Sequence, residues 1–389
     1  VLIMPNKIKF IVTISLISLA NWLDFISILT YSAYRVDSSP LIVSLASIAM
    51  LLPQVFLGKF YTRLLESNYR SWLLPTSFFI RAALTISLIF IDNINLFLIT
   101  VALRSAFSGV YIPVVSFYCS QQVESVRKIY SSYLSIINTY SKMAVPFLGG
   151  VIVSLYNEKT AFAVTSAITI LSIYFSLFLG RSKSIRENID VPVRIMPEGG
   201  LNSLIHWRMV LYYPAGIYFT LVFMCNNLLP LIFSNEGLSK YMFSLSITSS
   251  AIGNALFGYF SLYTKSKLKD LKYIYYSGIG VFIGFLILFL IFNSLKFNFL
   301  IYITFFVIGI FSASIPVLFN RHIFDENSTL AIKLSAKLQS IQNVSMILGP
   351  ILGAVISELL SPSYLLLIAG IIGFIIFTYL NVKVNYVRR

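Results

Sequence analysis

An all-α integral membrane protein with twelve spans in two six-helix halves is the fold class this sequence predicts, on three observations. Hydrophobic residues make up 58% and charged residues 11% of the chain, with a mean hydropathy of +0.85. A water-soluble fold could not hide that much apolar surface, so the solvent is lipid. Apolar runs recur near the roughly 20 residues that carry a helix across a hydrocarbon core, whereas a barrel would show shorter alternating strands. Finally, Ser135–Gly150 (SIINTYSKMAVPFLGG) is echoed by Gln339–Ala354 (QSIQNVSMILGPILGA). Placing Pro146 on Pro350 sets Ile137 on Ile341, Ser141 on Ser345, Gly149 on Gly353 and Asn138 on Gln342. The chain reads as duplicated.

In order, the apolar runs place spans at about 9–34, 40–61, 70–91, 95–120, 127–156 and 159–179. A second set follows at about 210–233, 240–263, 272–293, 297–320, 330–358 and 361–382. No small-residue cleavage site follows the first run, which leads directly into the second span, so it reads as a retained helix. Gly58 closes span 2 and Gly258 closes span 8, and the IPV of span 4 at 112–114 recurs in span 10 at 315–317. Spans 5 and 11 carry the echo, and at helical spacing Ser135, Asn138, Lys142, Pro146 and Gly149 share one face, as do Gln339, Gln342, Met346, Pro350 and Gly353. The long polar segment 180–208 then divides an N-terminal bundle, 1–179, from a C-terminal bundle, 209–389. Parallel repeats of this kind place a substrate path near the bilayer midplane.

Orientation follows from Lys and Arg. With the N-terminus in the cytoplasm, 22 of the 29 basic residues fall inside, while Arg35, Lys159, Lys240 and Lys296 fall outside and Arg81, Arg104 and Lys142 lie within spans. Both termini are then cytoplasmic, with the membrane a bacterial inner one. The formal net charge of +15 reflects topology and contact with anionic lipid. No basic segment belongs to a soluble domain, so nucleic acid is not an expected partner. Cys119 and Cys225 sit in apolar runs as small buried residues. His206 and His322 have no Cys or Glu at ligand spacing, and no Gly-rich loop leads to Lys-Ser or Lys-Thr. Neither a metal, a cofactor, an enzyme nor an ATP-driven engine is expected.

On these residues the chain resembles the major facilitator superfamily over essentially its whole length. PFLGG at 146–150 looks like the family's antiporter motif, with Val145 in place of the usual glycine, while Gly349, Pro350 and Gly353 keep that glycine in the second copy. The resemblance implies hinge or packing roles for Pro146, Gly149, Gly150, Gly349, Pro350 and Gly353. Between spans 2 and 3 Gly58 and Arg63 fit the family's loop, but Thr62 stands where an aspartate is usual. The segment 18–58, with Arg81 and the proline of span 4, looks most like the exporter branch that includes macrolide efflux pumps and siderophore exporters. That resemblance implies the major facilitator fold, a gradient as energy source and no enzymatic step.

Ionisable groups at bilayer depth cost about 2.5–3.5 kcal/mol each on insertion scales, so they mark partners or wet cavities. Asp24 shares a face of span 1 with Asn21, Ser27, Ile28 and Tyr31; Arg104 shares one of span 4 with Thr100, Ser108 and Tyr111. The resemblance makes both helices cavity-lining, and the two charges could form either a permanent ion pair or one that switches with protons or substrate. Lys142 has Met346 as its counterpart, so it reads either as a substrate contact or as a structural cation. Arg81, on a helix peripheral in the family, is expected to face a helix end or a lipid headgroup. The C-terminal half offers uncharged groups, among them Asn227 and Gln342, and Tyr31, Tyr111 and Tyr218 are the candidate cavity aromatics alongside Asn138.

These readings converge on a secondary exporter working by proton antiport and alternating access, with Asp24 and Arg104 coupling the proton. Its cargo is expected to be a small amphipathic anion or zwitterion, because three deep cations face one deep carboxylate. Protons, membrane lipids and the small-molecule substrate are the expected partners of a monomer. The alternatives are an ion-independent facilitator or lysolipid flippase, and a non-transporting scaffold or receptor on the same fold.

Overall fold

Apolar runs in lipid must satisfy their own backbone, which leaves helices as the economical solution. A computed structural model of the chain describes residues 3–34, 39–66, 70–120, 124–180, 212–263, 272–294, 298–324 and 328–387, and these are helical almost throughout, with no strand among them. The elements are α1 (Ile3–Tyr34), α2 (Pro40–Phe56), α3 (Gly58–Glu66), α4 (Arg70–Ser87), α5 (Ile94–Ser108), α6 (Tyr111–Ser120), α7 (Glu124–Leu155) and α8 (Glu158–Gly180). There follow α9 (Tyr213–Asn226), α10 (Leu229–Asn235), α11 (Lys240–Tyr263), α12 (Lys272–Ser294), α13 (Asn298–Phe324), α14 (Ser328–Leu359) and α15 (Tyr364–Val387). Eight of the helical segments are long and apolar enough to cross a membrane. The connection 181–208 lies outside the described residues.

Three expected spans are each built from two helices. α2 passes into α3 at Leu57, α5 into α6 at Gly109–Val110, and α9 into α10 at Asn227–Leu228. Prolines account for the second and third interruptions: Pro113 and Pro230 each lack the N–H that would continue the ladder, whereas Pro53 lies inside α2 and Leu57 still donates to its carbonyl at 3.0 Å. At the second break the absent side chain of Gly109 matters as well, because a Cβ there would come within 2.9 Å of the Tyr61 ring.

The chain forms two compact units. Unit 1 comprises Val1–Ser38, Leu45–Asp190 and Ser239–Ser244; unit 2 comprises Ser39–Ser44, Val191–Leu238 and Leu245–Arg389. The opening turns of α2 and α11 therefore belong to a different unit from the rest of their helices, a crossing over that the sequence reading did not contain. Within unit 1, α1 packs on α7 and α8, and α4 on α5 and α8. Gly149 lets Leu23 approach to 2.9 Å of where its Cβ would stand, and Gly150 admits Ser244.

Unit 2 is held by α9 against α14, α12 against α15 and α12 against α13. Small residues make the first contact close: a Cβ on Gly349 would lie 2.8 Å from the Thr220 carbonyl oxygen, and one on Gly353 2.9 Å from that of Met224. In lipid, where apolar burial supplies little drive between helices, such close backbone approach is a main source of association. α11 and α13 meet in the same way, through Gly253 and Gly309.

Candidate functional site

Three of the four deep charges meet on α1. Asp24, 2% exposed, accepts a hydrogen bond on Oδ2 from Arg81 Nη2 of α4 at 2.5 Å, and the same oxygen accepts from Arg104 Nη1 of α5. Arg81 Nη1 donates to Asn21 Oδ1 at 2.6 Å, one helical turn before Asp24. Arg81 and Arg104 are themselves 1% and 4% exposed. Their helices present them cleanly because nearby hydroxyls satisfy themselves on their own backbones: Thr85 donates to the Arg81 carbonyl at 2.8 Å, Ser108 to the Arg104 carbonyl at 2.9 Å, and Ser27 to that of Leu23 at 2.7 Å.

The expected Asp24–Arg104 pairing is present, whereas the expected surroundings of Arg81 are corrected. It meets neither a helix end nor a headgroup but shares Asp24 with Arg104. A carboxylate accepts up to four hydrogen bonds and a guanidinium donates five, so one carboxylate can hold two arginines without exhausting them. Among the described residues, Asp24 Oδ1 and the Nε atoms of both arginines have no hydrogen-bond partner. Counting charges was the available sequence signal: three deep cations and one deep carboxylate require that carboxylate to serve more than one partner.

Lys142 of α7 approaches the same turn of α1 from its other side, with its ammonium 5.8 Å from the centre of the Trp22 ring. A ring face attracts a cation without neutralising it. Around residues 21–24 of α1, then, two guanidiniums share one carboxylate, one positive charge more than that carboxylate offsets, while Lys142 stands over the neighbouring Trp22 ring.

The remaining sequence candidates lie elsewhere. Tyr31 is 3% exposed, donates to the Ile91 carbonyl at 3.1 Å and stacks near Phe97 and Phe162, a core position in place of the cavity expected. Tyr111 packs beside the core of Phe10, Ile14 and Ile17. Tyr218 is buried in unit 2 among Phe219, Phe282 and Phe377, again in an aromatic core and not at an open site. Asn227 ends α9, donating from Nδ2 to the Phe223 carbonyl at 3.1 Å. Gln342 is half-buried on α14, and the Asn138 side chain lies outside the described residues. A second ionic contact escaped the sequence reading: Glu158, fully buried at the start of α8, accepts from Lys240, which also lies 5.6 Å from the Tyr34 ring centre. Among the described residues no cluster of His, Cys, Asp and Glu could hold a metal ion.

Residues 10–331 match the family description Major Facilitator Superfamily, most of the chain and both sides of its midpoint. The chain belongs to the major facilitator superfamily. This facilitator is 26% identical over 171 residues to an uncharacterized MFS-type transporter, YfiS, of Bacillus subtilis (strain 168). That segment spans 44% of the present chain and 41% of the relative. Among solved structures it resembles a peptide transporter POT mutant bound to alafosfalin, with TM-score 0.76, 12% identity and coverage of 97% and 94% of the two chains. It also resembles a mutant of the nucleoside transporter NupG (TM-score 0.72, 12% identity, 96% and 99% coverage) and a bacterial homologue of the iron transporter ferroportin (0.72, 12%, 97% and 99%). At such identities the likeness shows the fold alone. The facilitator is a multi-pass membrane protein of the transporter type.

Proposed function

We propose that this facilitator exports a small amphipathic zwitterion or anion, such as a siderophore, antibiotic or modified peptide, from the bacterial cytoplasm by proton antiport and alternating access. The observation that carries the reading is the pair of guanidiniums, Arg81 and Arg104, that share the one carboxylate of Asp24. A buried cluster with surplus positive charge is best completed by an incoming anion. Arginine suits a planar carboxylate or phosphate, through parallel hydrogen bonds. The resemblance of 18–58 to the macrolide and siderophore exporter branch supports the outward direction, and the charge of the loops supports an inner membrane with both termini cytoplasmic.

The linkage that antiport requires, in contrast to the charge surplus alone, favours a zwitterion within that class. Its carboxylate takes the guanidiniums while its ammonium takes Asp24, so a proton on Asp24 excludes the cargo, as antiport requires. A purely anionic cargo has the opposite linkage. It displaces Asp24 from the arginines, and protonating Asp24 then helps it bind.

Flux into proteoliposomes under an imposed pH gradient tests this, with a zwitterionic, an anionic and a cationic probe of similar size. Asp24→Asn should abolish proton-driven flux, while Arg104→Gln and Lys142→Gln should reduce flux of probes bearing a carboxylate. If Asp24→Asn keeps proton-driven export at every pH, Asp24 is not the coupling group. If the wild type moves cations alone, the charge argument fails. Flux that survives collapse of the proton gradient would favour the ion-independent facilitator.

A further inference from the structure

On α14, Lys337, Ile341, Val344 and Leu348 recur every three or four residues and so lie on one face. Opposite them α9 sets Gly216 and Thr220, one turn apart, and the two helices enclose a groove of about 310 Å³ completed by Ser340 and Ser345. Gly216 adds no side chain to this wall; a Cβ there would stand 3.6 Å from Ile341 Cγ2, at ordinary van der Waals contact. Two of its hydroxyls are engaged inside the groove: Thr220 Oγ1 donates to Ser345 Oγ at 3.0 Å, and Ser345 Oγ to the Gly216 carbonyl at 3.4 Å. Lys337 and Ser340, at one end, are exposed.

The open side of the groove is apolar and exposed. Val344 and Leu348 are 54% and 46% exposed, and their side of α14 continues as exposed Ile351, Leu352, Val355 and Leu359 to the far end of the helix. An exposed apolar stripe on a membrane span is matched in chemistry to a lipid acyl chain. Lys337 opens the apolar stretch Lys337–Leu359, which places its ammonium at headgroup depth. The rise from Lys337 to Leu348 is about 16 Å at 1.5 Å per residue, close to half of a hydrocarbon core of roughly 30 Å. The groove thus has the length of one leaflet, a cation at its polar end and apolar walls along its depth.

We propose that this groove is a binding site for an anionic glycerophospholipid, with the headgroup phosphate on Lys337 and Ser340 and one acyl chain along Ile341, Val344 and Leu348. The leaflet is the one at the N-terminal end of α14, which the loop charges make cytoplasmic. The site is independent of the transport reading, because none of its residues belongs to the α1 cluster.

The test is lipid retention. The full chain is reconstituted with equal phosphatidylglycerol and phosphatidylcholine, extracted in mild detergent, and its co-purifying lipid quantified by mass spectrometry. Wild type should retain phosphatidylglycerol over phosphatidylcholine, with about a fivefold factor of that preference owed to Lys337, as one lysine near a surface supplies, on top of the share owed to the other basic residues. Lys337→Gln should lower that preference by about this factor and Lys337→Arg preserve it. Val344→Trp, which fills the groove from an exposed position and so spares the core, should lower the total retained. All variants are compared as monodisperse fractions. Equal retention of the two lipids by wild type, an unchanged preference in Lys337→Gln, or unchanged retention in Val344→Trp would each overturn the proposal.

Discussion

Removing the negative charge of Asp24 is the most informative perturbation of this structure. Its Oδ2 accepts from both Arg81 and Arg104, and all three side chains are at most 5% exposed. Breaking a buried ion pair by removing one partner costs about 3–5 kcal/mol, and here two guanidiniums lose the same counter-charge, which places the loss near 5. An asparagine still offers one carbonyl oxygen, and a hydrogen bond to a charged group returns about 1.5–3 kcal/mol. Asp24→Asn should therefore destabilise by about 3 kcal/mol and Asp24→Leu by about 5. Adding Arg104→Gln to Asp24→Asn should recover at least 1 kcal/mol, because one stranded cation disappears while Arg81 keeps Asn21 as acceptor. The assay is unfolding in mixed micelles, titrating sodium dodecyl sulfate into mild detergent and following fluorescence. Effects that add within about 0.5 kcal/mol would refute the reasoning, since uncoupled sites behave that way.

Glycine substitutions should separate packing from mere occurrence. Gly253→Ala and Gly309→Ala put a Cβ 2.2 Å and 2.0 Å from facing backbone oxygens, so each should cost about 1–3 kcal/mol in the same titration, whereas Gly58→Ala and Gly258→Ala, with nothing within 4 Å, should be neutral or mildly stabilising. Tyr31→Phe loses the bond to the Ile91 carbonyl and should cost about 0.5–1.5 kcal/mol while leaving substrate affinity unchanged; a large change in affinity with unaltered stability would return Tyr31 to the cavity. Trp22→Leu removes the ring beneath Lys142 and should destabilise by about 1–2 kcal/mol in wild type but much less in Lys142→Met, a cycle in which equal losses would deny the cation–π contact.

The sequence by itself determined that this is a helical membrane protein, and with how many spans, because the need to satisfy backbone in lipid makes length and hydropathy sufficient evidence. It also named the residues of the α1 cluster, since a charge in an apolar run is expensive wherever it stands. The partner of Arg81 was decided only by tertiary structure: a side chain of that length reaches several neighbouring helices, and which of them holds Asp24 depends on packing that no local pattern encodes. The same holds for Tyr31, whose helical face is polar in sequence, and for Tyr218: both rings close against phenylalanines brought from distant helices. The groove between α9 and α14 is the plainest case. Lys337, Ile341, Val344 and Leu348 are legible as a stripe, but a stripe becomes a site only where the missing side chain of Gly216 meets it across a helix pair.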